Sequence, residues 1–442
     1  MKSIFLLLDK ILRRYTPDPF VIAILLSVVT IVLAWALPPE SAAEQTSGQR
    51  FSFVVESWGD GFWDLAKFTL QMSMILLGGF VVATSPPVKW LLVKMIGLLN
   101  SPVQAVLFCT LSAIAASWVN WGFGLVVGGV VALEVGKRLP KVPFRLLVAS
   151  SYSGFLVWHA GLSGSIPLLL NTEDNFSAEW VGGVMPLSET IFSPLNLVAL
   201  AALVLLLPGI NLIQLSLLGE EETHLVEKPE PPIVDESDVA WIERGPVAMI
   251  ALVGLGFLYL WLRMSANKFS LNLDSVNFVF FMFGMLLHGS PHAFMKSVTA
   301  AVPKIAPILV QYPLYAAIMA VLVKTGLAEQ MAQFFVSVAN EDTFPLMSFY
   351  SAGLINLFVP SGGGQWAVQA PIVIPAAQEL GADIPKTVMA VAWGDAWTNM
   401  AQPFWAVPLL TIAGLKIKDI IGFCLVTLFA SGLVLSLIFL LF

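Results

Sequence analysis

Apolar residues run through most of the chain in stretches of about twenty, parted by short polar turns, the spacing of helices that cross a bilayer. Full spans are predicted at 19–37, 62–84, 143–170, 188–209, 246–263, 274–288, 305–323, 386–411 and 419–442. Two segments do not fit as single spans. One is 103–136, interrupted by Asn120-Trp121-Gly122-Phe123-Gly124; the other is 344–378, interrupted by Pro360-Ser361-Gly362-Gly363-Gly364-Gln365-Trp366. The arm 125–136 after the first loop reaches only about 18 Å as a helix, against a hydrocarbon core of about 30 Å. Each such segment is followed by a long apolar run broken by polar residues. These breaks are Trp158-His159-Ala160-Gly161-Leu162-Ser163-Gly164-Ser165 and Asp395-Ala396-Trp397-Thr398-Asn399-Met400-Ala401-Gln402-Pro403. Helix breakers at membrane depth survive only where the freed backbone is buried in protein or lines a watery cavity.

The two halves share one register. Pro167 and Pro408, Gly122 and Gly363, and Asn120 and Ser361 each differ by the same offset (408 − 167 = 241), without a gap from 62–169 to 303–410. Short amphipathic segments, 87–100 and 328–341, precede the two interrupted segments at that offset. Lys2, Lys10, Arg13 and Arg14 place the N-terminus in the cytoplasm by the positive-inside rule. Lys89 and Lys94 then fall inside, and so do Lys137, Arg138, Lys141 and Arg145. Residues 101–137 therefore enter and leave on one side, as a re-entrant helical hairpin. The same count puts the C-terminus outside and brings the second hairpin in from the opposite face, which makes an inverted-topology repeat. Ile4, Phe5, Leu8, Ile11 and Leu12 lie opposite Lys10, Arg13 and Arg14, so 1–18 reads as an interfacial helix.

Composition closes the question of class. The chain has 442 residues, 57% of them hydrophobic and 12% charged, which defines an all-α, polytopic membrane protein. Residues 220–244 hold nine acids against Lys228 and Arg244, and this linker accounts for the whole net charge of −7. The acidic balance thus says nothing of partners beyond the lipid bilayer, and there is no basic patch for nucleic acid. Cys109 and Cys424 lack metal or redox spacing and read as small core residues. The organisation predicted is an interfacial helix at 1–18, scaffold segments at 19–100, and first-repeat transport segments at 101–217. A cytoplasmic acidic linker at 218–245, second-half scaffold segments at 246–341 and second-repeat transport segments at 342–442 follow.

Paired broken segments in corresponding positions point to a transporter's substrate site. The candidate substrate residues are Asn120, Trp121, Gly122 and Gly124 at the first tip and Ser361, Gly362, Gly363, Gly364 and Gln365 at the second. The breaks add Trp158, His159, Ser163 and Ser165, and Thr398, Asn399 and Gln402. Tip glycines let the backbone approach a ligand, and exposed helix N-termini favour an anion, which suits one small carboxylate. Trp121, Trp158, Trp366, Trp393, Trp397 and Trp405 cluster at the breaks. They read as aromatic walls of a small-molecule site or as interfacial belt residues.

Asp395 lies deep in an apolar run, where a charge costs about 2.5 kcal/mol or more. It is either a cation or proton site or a hydrogen-bond anchor for Asn399 or Thr398. Asn120, Ser361 and Asn399 join it as candidate ligands of a coupling ion, Na+ or H+; no other cofactor is implied. His159 either hydrogen-bonds a carboxylate, titrates, or is a satisfied core residue. Ser163 and Ser165 make no convincing catalytic set with His159, because no orienting acid lies near them in sequence. Metalloprotease, P-loop and GxSxG patterns are absent, so no enzyme is predicted.

Several longer motifs are distinctive: Gly59-Asp60-Gly61-Phe62-Trp63, Asn120 through Gly128, Asp342-Thr343-Phe344-Pro345, Pro360 through Gly364, and Asn399-Met400-Ala401-Gln402-Pro403-Phe404-Trp405. With these the whole chain resembles the short-chain fatty acid transporter family, which is grouped with the ion-transporter superfamily. The resemblance implies a homodimer in a bacterial cytoplasmic membrane, with a mobile transport unit moving like an elevator against a fixed scaffold. It also implies import of acetate, butyrate or acetoacetate by cation symport. A dicarboxylate or other organic-anion carrier is the alternative within transport; a membrane-embedded enzyme or a non-transporting subunit is the alternative outside it. Related dicarboxylate carriers bind sodium at Ser-Asn-Thr tips. Here the tips read Asn120-Trp121-Gly122 and Ser361-Gly362-Gly363, so that ligation does not transfer residue by residue.

Overall fold

The computed structural model describes residues 19–38, 45–218, 240–357, 359–402 and 405–442. The expected interfacial helix at 1–18, and 219–239 of the acidic linker, lie outside the described residues. Among those described, every regular element is a helix. The first half runs α1 (Pro19–Ala36), α2 (Ser47–Asp60), α3 (Ala66–Thr84), α4 (Pro86–Ile96), α5 (Pro102–Val119), α6 (Trp121–Arg138), α7 (Phe144–Gly154), α8 (Ser165–Leu170) and α9 (Pro194–Leu217). The second runs α10 (Val247–Ser265), α11 (Leu273–His288), α12 (Pro291–Lys324), α13 (Leu327–Val338), α14 (Phe344–Asn356), α15 (Gly362–Leu380), α16 (Ile384–Thr398), α17 (Ala406–Ala413) and α18 (Ile417–Leu441). Seven described stretches are helical, long and apolar enough to cross a membrane.

The repeat is visible in where helices begin. α4 and α13, α6 and α15, and α8 and α17 each start at the same offset (362 − 121 = 241). The stretch corresponding to α12 is divided in the first half into α2, a 3-10 turn at Gly61–Trp63, and α3. α12 stays continuous for 34 residues through Pro303, Pro307 and Pro313. At about 1.5 Å per residue it is about 51 Å long and overshoots the core, where the sequence predicts a span over 305–323 only.

Two other boundaries differ from the sequence prediction. The first hairpin has almost no loop: α6 starts at Trp121, directly after Asn120, and its 18 residues reach about 27 Å. Two side chains make this start affordable despite Gly122 and Gly124. Asn120 Oδ1 accepts the Phe123 amide at 2.9 Å, and Ser163 Oγ accepts the Trp121 amide at 2.8 Å. α9 begins at Pro194 rather than 188, because Ser193 caps it by accepting the Asn196 amide at 3.2 Å.

α3 and α12 pack on each other in a bundle with α1, α2, α10 and α11. Both hairpins, the broken helices, α9 and α18 form the other side, and α4 and α13 bridge the two. The repeats interlock there. α17 packs on α6, the arm of the opposite repeat's hairpin, while α8 packs on α15. Small residues permit it: a Cβ on Gly128 would stand 3.1 Å from Leu409 Cδ1, and one on Gly129 would stand 3.1 Å from Ile412 Cβ.

Candidate functional site

The break between α7 and α8 first tightens into a 3-10 helix, Phe155–Ala160. Side chains three apart eclipse in that geometry, so Phe155 stacks on Trp158, with ring centroids 5.8 Å apart and planes 12° apart. Trp158 in turn stacks on His159 at 4.1 Å. The freed backbone beyond it is stitched to hairpin 1 and to α9. The Leu162 amide donates to Trp118 O at 2.7 Å, and Asn196 Nδ2 donates to Ala160 O at 3.2 Å. Gly161 has to be glycine, since a Cβ there would overlap the Trp118 carbonyl.

His159 Nδ1 lies 3.0 Å from Asp395 Oδ2, and both side chains are buried, at 0% and 1% exposure. His159 Nε2 accepts the Ile166 amide at 3.2 Å and lies 3.1 Å from Ser165 Oγ. An amide only donates, so Nε2 carries the lone pair and the proton sits on Nδ1, facing the carboxylate. The acid that sequence spacing fails to find near Ser165 and His159 is therefore Asp395, delivered by the fold. The Ser165–His159–Asp395 array is still no nucleophilic triad, since Ile166 already occupies the lone pair that would take the serine proton.

The two tips are not equivalent. At the first, the Trp121, Phe123 and Gly124 amides are taken by Ser163 Oγ, Asn120 Oδ1 and Asn120 O. At the second, Ser361 takes the Gly364 amide at 3.4 Å and the Gln365 amide at 2.7 Å. The amides of Gly362 and Gly363, first in α15, have no intrahelical acceptor, and both residues line a pocket. The other walls are Met72, Trp121, Phe155, Trp158, Ser165, Tyr312, Ser361 and Trp405. Trp121 meets Trp158 and Trp405 edge-on, and Ser361 Oγ donates to the Tyr312 hydroxyl oxygen at 2.7 Å. The indole N–H groups of Trp121 and Trp158 are buried without a partner among the described residues. No lining residue is charged. The pocket measures about 10 Å³, room for about one water.

Of the residues predicted from sequence, Trp121, Trp158, Ser165, Ser361, Gly362 and Gly363 line this pocket, and His159 and Asp395 lie directly behind it. A Cβ on Gly362 would stand 2.5 Å from His159 Cε1 and 2.8 Å from Ser165 Oγ. The second tip therefore rests on His159 and Ser165. The remaining predicted residues serve neighbouring contacts. Asn120 and Ser163 cap α6; Gly122 abuts Leu76, Gly124 abuts Ser117 and Gly364 abuts Tyr315. Gln365 Nε2 donates to Ala352 O at 2.9 Å, inside its own hairpin. Thr398, Asn399 and Gln402 form a network around Asn356, whose Nδ2 also donates to Asp395 O at 2.8 Å.

Met72, Phe155, Tyr312 and Asn356 are absent from the sequence prediction. Tyr312 beside Gln311, and Asn356 one turn before the second tip, are polar residues in apolar runs and carried a usable signal. Met72 and Phe155 carried none, being indistinguishable from core residues.

Two repeats in one register, each giving a hairpin and a broken helix to one pocket, define a multi-pass membrane transporter. The chain belongs to the short-chain fatty acid transporter family, whose model matches residues 2–442. It is 41% identical over 438 residues to an Escherichia coli (strain K12) protein provisionally named a short-chain fatty acid transporter, covering 97% of this chain and 96% of that one. A Haemophilus influenzae (strain ATCC 51907 / DSM 11121 / KW20 / Rd) protein of the same provisional name is 39% identical over 428 residues, covering 94% of each chain. The fold is similar to the crystal structure of the Alcanivorax borkumensis YdaH transporter, described as having an unusual topology. That likeness has a TM-score of 0.60 at 16% identity and covers 95% of this chain and 98% of the other.

Proposed function

We propose that the protein imports short-chain monocarboxylates such as acetate, butyrate or acetoacetate across the bacterial cytoplasmic membrane, with the N-terminus inside. The observation that carries this reading is the donor set of the pocket. The open Gly362 and Gly363 amides and the unpartnered indole N–H groups of Trp121 and Trp158 suit one carboxylate. Apart from Ser165 and Ser361, the rest of the lining is aromatic or thioether, which suits a short tail. A second carboxylate would find no cation in the lining, which disfavours a dicarboxylate.

Transport is coupled to H+ or Na+ at Asp395. A carboxylate drawn to Gly362 shifts the tip that rests on His159, and so changes the contacts that hold the Asp395 charge. The hairpins and broken helices move together against α3 and α12 in an elevator motion, within a homodimer. Radiolabelled butyrate uptake into proteoliposomes, with a proton or a sodium gradient imposed one at a time, tests the reading. Accumulation under one gradient is expected; no uptake under either refutes it.

A further inference from the structure

One stripe of α3 touches both hairpin tips. Phe68, Met72 and Leu76 are four residues apart and so share a helical face, with Gly79 continuing it. Phe68 lies against the second tip, where its ring occupies the space a Cβ on Gly363 would need. Leu76 lies against the first tip, its Cα 3.0 Å from where a Cβ on Gly122 would stand. Gly79 lets Asn120 and Phe123 approach. Met72 falls between the two contacts. It is 2% exposed, and it is the one residue of this stripe that lines the pocket.

The other apolar walls are held by one another. Phe155 and Trp158 are stacked, Trp121 is wedged between Trp158 and Trp405, and Tyr312 is fixed by Ser361 and by Phe68, whose ring centroid lies 5.8 Å away. Met72 is in none of these ring contacts. Its unbranched thioether adapts to the space it is given. Its position in the other repeat is Pro313, so the symmetry supplies no second gauge of this kind.

We infer that Met72 sets the chain length of the substrate, a role that rests on the monocarboxylate reading above. The carboxylate is held at the Gly362–Gly363 end, and the alkyl tail is measured against the Met72 side chain. Each methylene that gains or loses burial there changes affinity about fourfold.

The test compares wild-type protein with Met72→Ala and Met72→Phe in proteoliposomes. Initial uptake rates and competition are measured for linear acids of increasing length from acetate, together with thermal melting. Met72→Ala is expected to move the preferred acid about two carbons longer, with acetate weakened; Met72→Phe is expected to move it toward acetate. An unmoved length profile in variants that melt like wild type overturns the inference. Should either variant fail to fold, Met72→Cys carries the test. Butyrate is expected to slow its reaction with a small methanethiosulfonate at least fivefold, and equal rates with and without butyrate overturn the role of Met72. Wild-type protein that transports no linear acid overturns the transport reading itself.

Discussion

His159 Nδ1 and Asp395 Oδ2 meet at 3.0 Å across 236 positions of sequence, tying the break in one repeat to the broken helix of the other. Asp395 takes the place of Gly154 in the repeat register, so the pair has no symmetric copy. The site thus holds a single carboxylate with a neutral histidine donating to it, and its second oxygen, Oδ1, has no partner among the described residues.

That asymmetry makes Asp395→Asn informative. The amide oxygen still accepts the His159 proton, so packing is kept while the charge is lost. Gradient-driven accumulation is expected to fall at least about tenfold, with substrate exchange within about threefold of wild type. His159→Ala instead leaves a buried carboxyl oxygen without its hydrogen bond, at about 1–3 kcal/mol or more, and is expected to lower the melting temperature. Unchanged ion dependence in well-folded Asp395→Asn would exclude a coupling role.

The tip glycines differ in what they face, and so in whether they can be rescued. Gly363→Val drives a side chain into the Phe68 ring, an overpacking of about 1–3 kcal/mol, and butyrate uptake is expected to drop about tenfold. Adding Phe68→Ala is expected to restore part of it. Gly122→Val meets the Leu76 backbone, which no truncation removes. Normal uptake by both single variants would rule out a role for the tips.

The buried, unpartnered indole of Trp158 makes an opposite pair of predictions for stability and binding. An unsatisfied buried donor costs about 1–3 kcal/mol, so Trp158→Phe removes a penalty from the empty protein while removing a donor to the carboxylate. The expected result is a KM for butyrate raised about tenfold with little loss of melting temperature. A lowered melting temperature with KM unchanged would make Trp158 a packing residue only.

Topology is checked by cysteines at exposed ends. Cysteine in place of Lys89 or Lys137 is expected to be protected from an impermeant thiol reagent outside, and in place of Lys324 or Asp383 to be labelled. Asp383 is used because its neighbour Ala382 is buried, at 6% exposure. Labelling of only one of Lys89→Cys and Lys137→Cys from outside would contradict the first hairpin.

Much of this architecture was legible because the membrane forbids unpaired backbone. Glycines at 122 and 363 and polar breaks at 158–165 and 395–402 had to be explained by burial or by a cavity, and the shared offset located both hairpins. Single residues were read less well, because sequence reports a residue's type and not what it faces. Asp395 and His159 looked like two separate problems and are one contact. Gly122 and Gly124 read as ligand positions, and the structure shows that helices touch there. Met72 and Tyr312 reach the pocket from α3 and α12, outside the interrupted segments that the sequence singles out. Local caps decided the rest: Asn120 and Ser163 start α6 where its glycines predict a loop.

The exchange of α8 and α17 between the repeats bears on how the chain matures. α6 emerges from the ribosome long before α17, yet the Gly128–Gly129 surface of α6 is filled by Leu409 and Ile412. The first half is thus synthesised with a gap that only the last tenth of the chain can close. Insertion and final packing are separate events, and a nascent chain stopped before Ala406 would sit in the bilayer as a protease-sensitive intermediate awaiting its clasp.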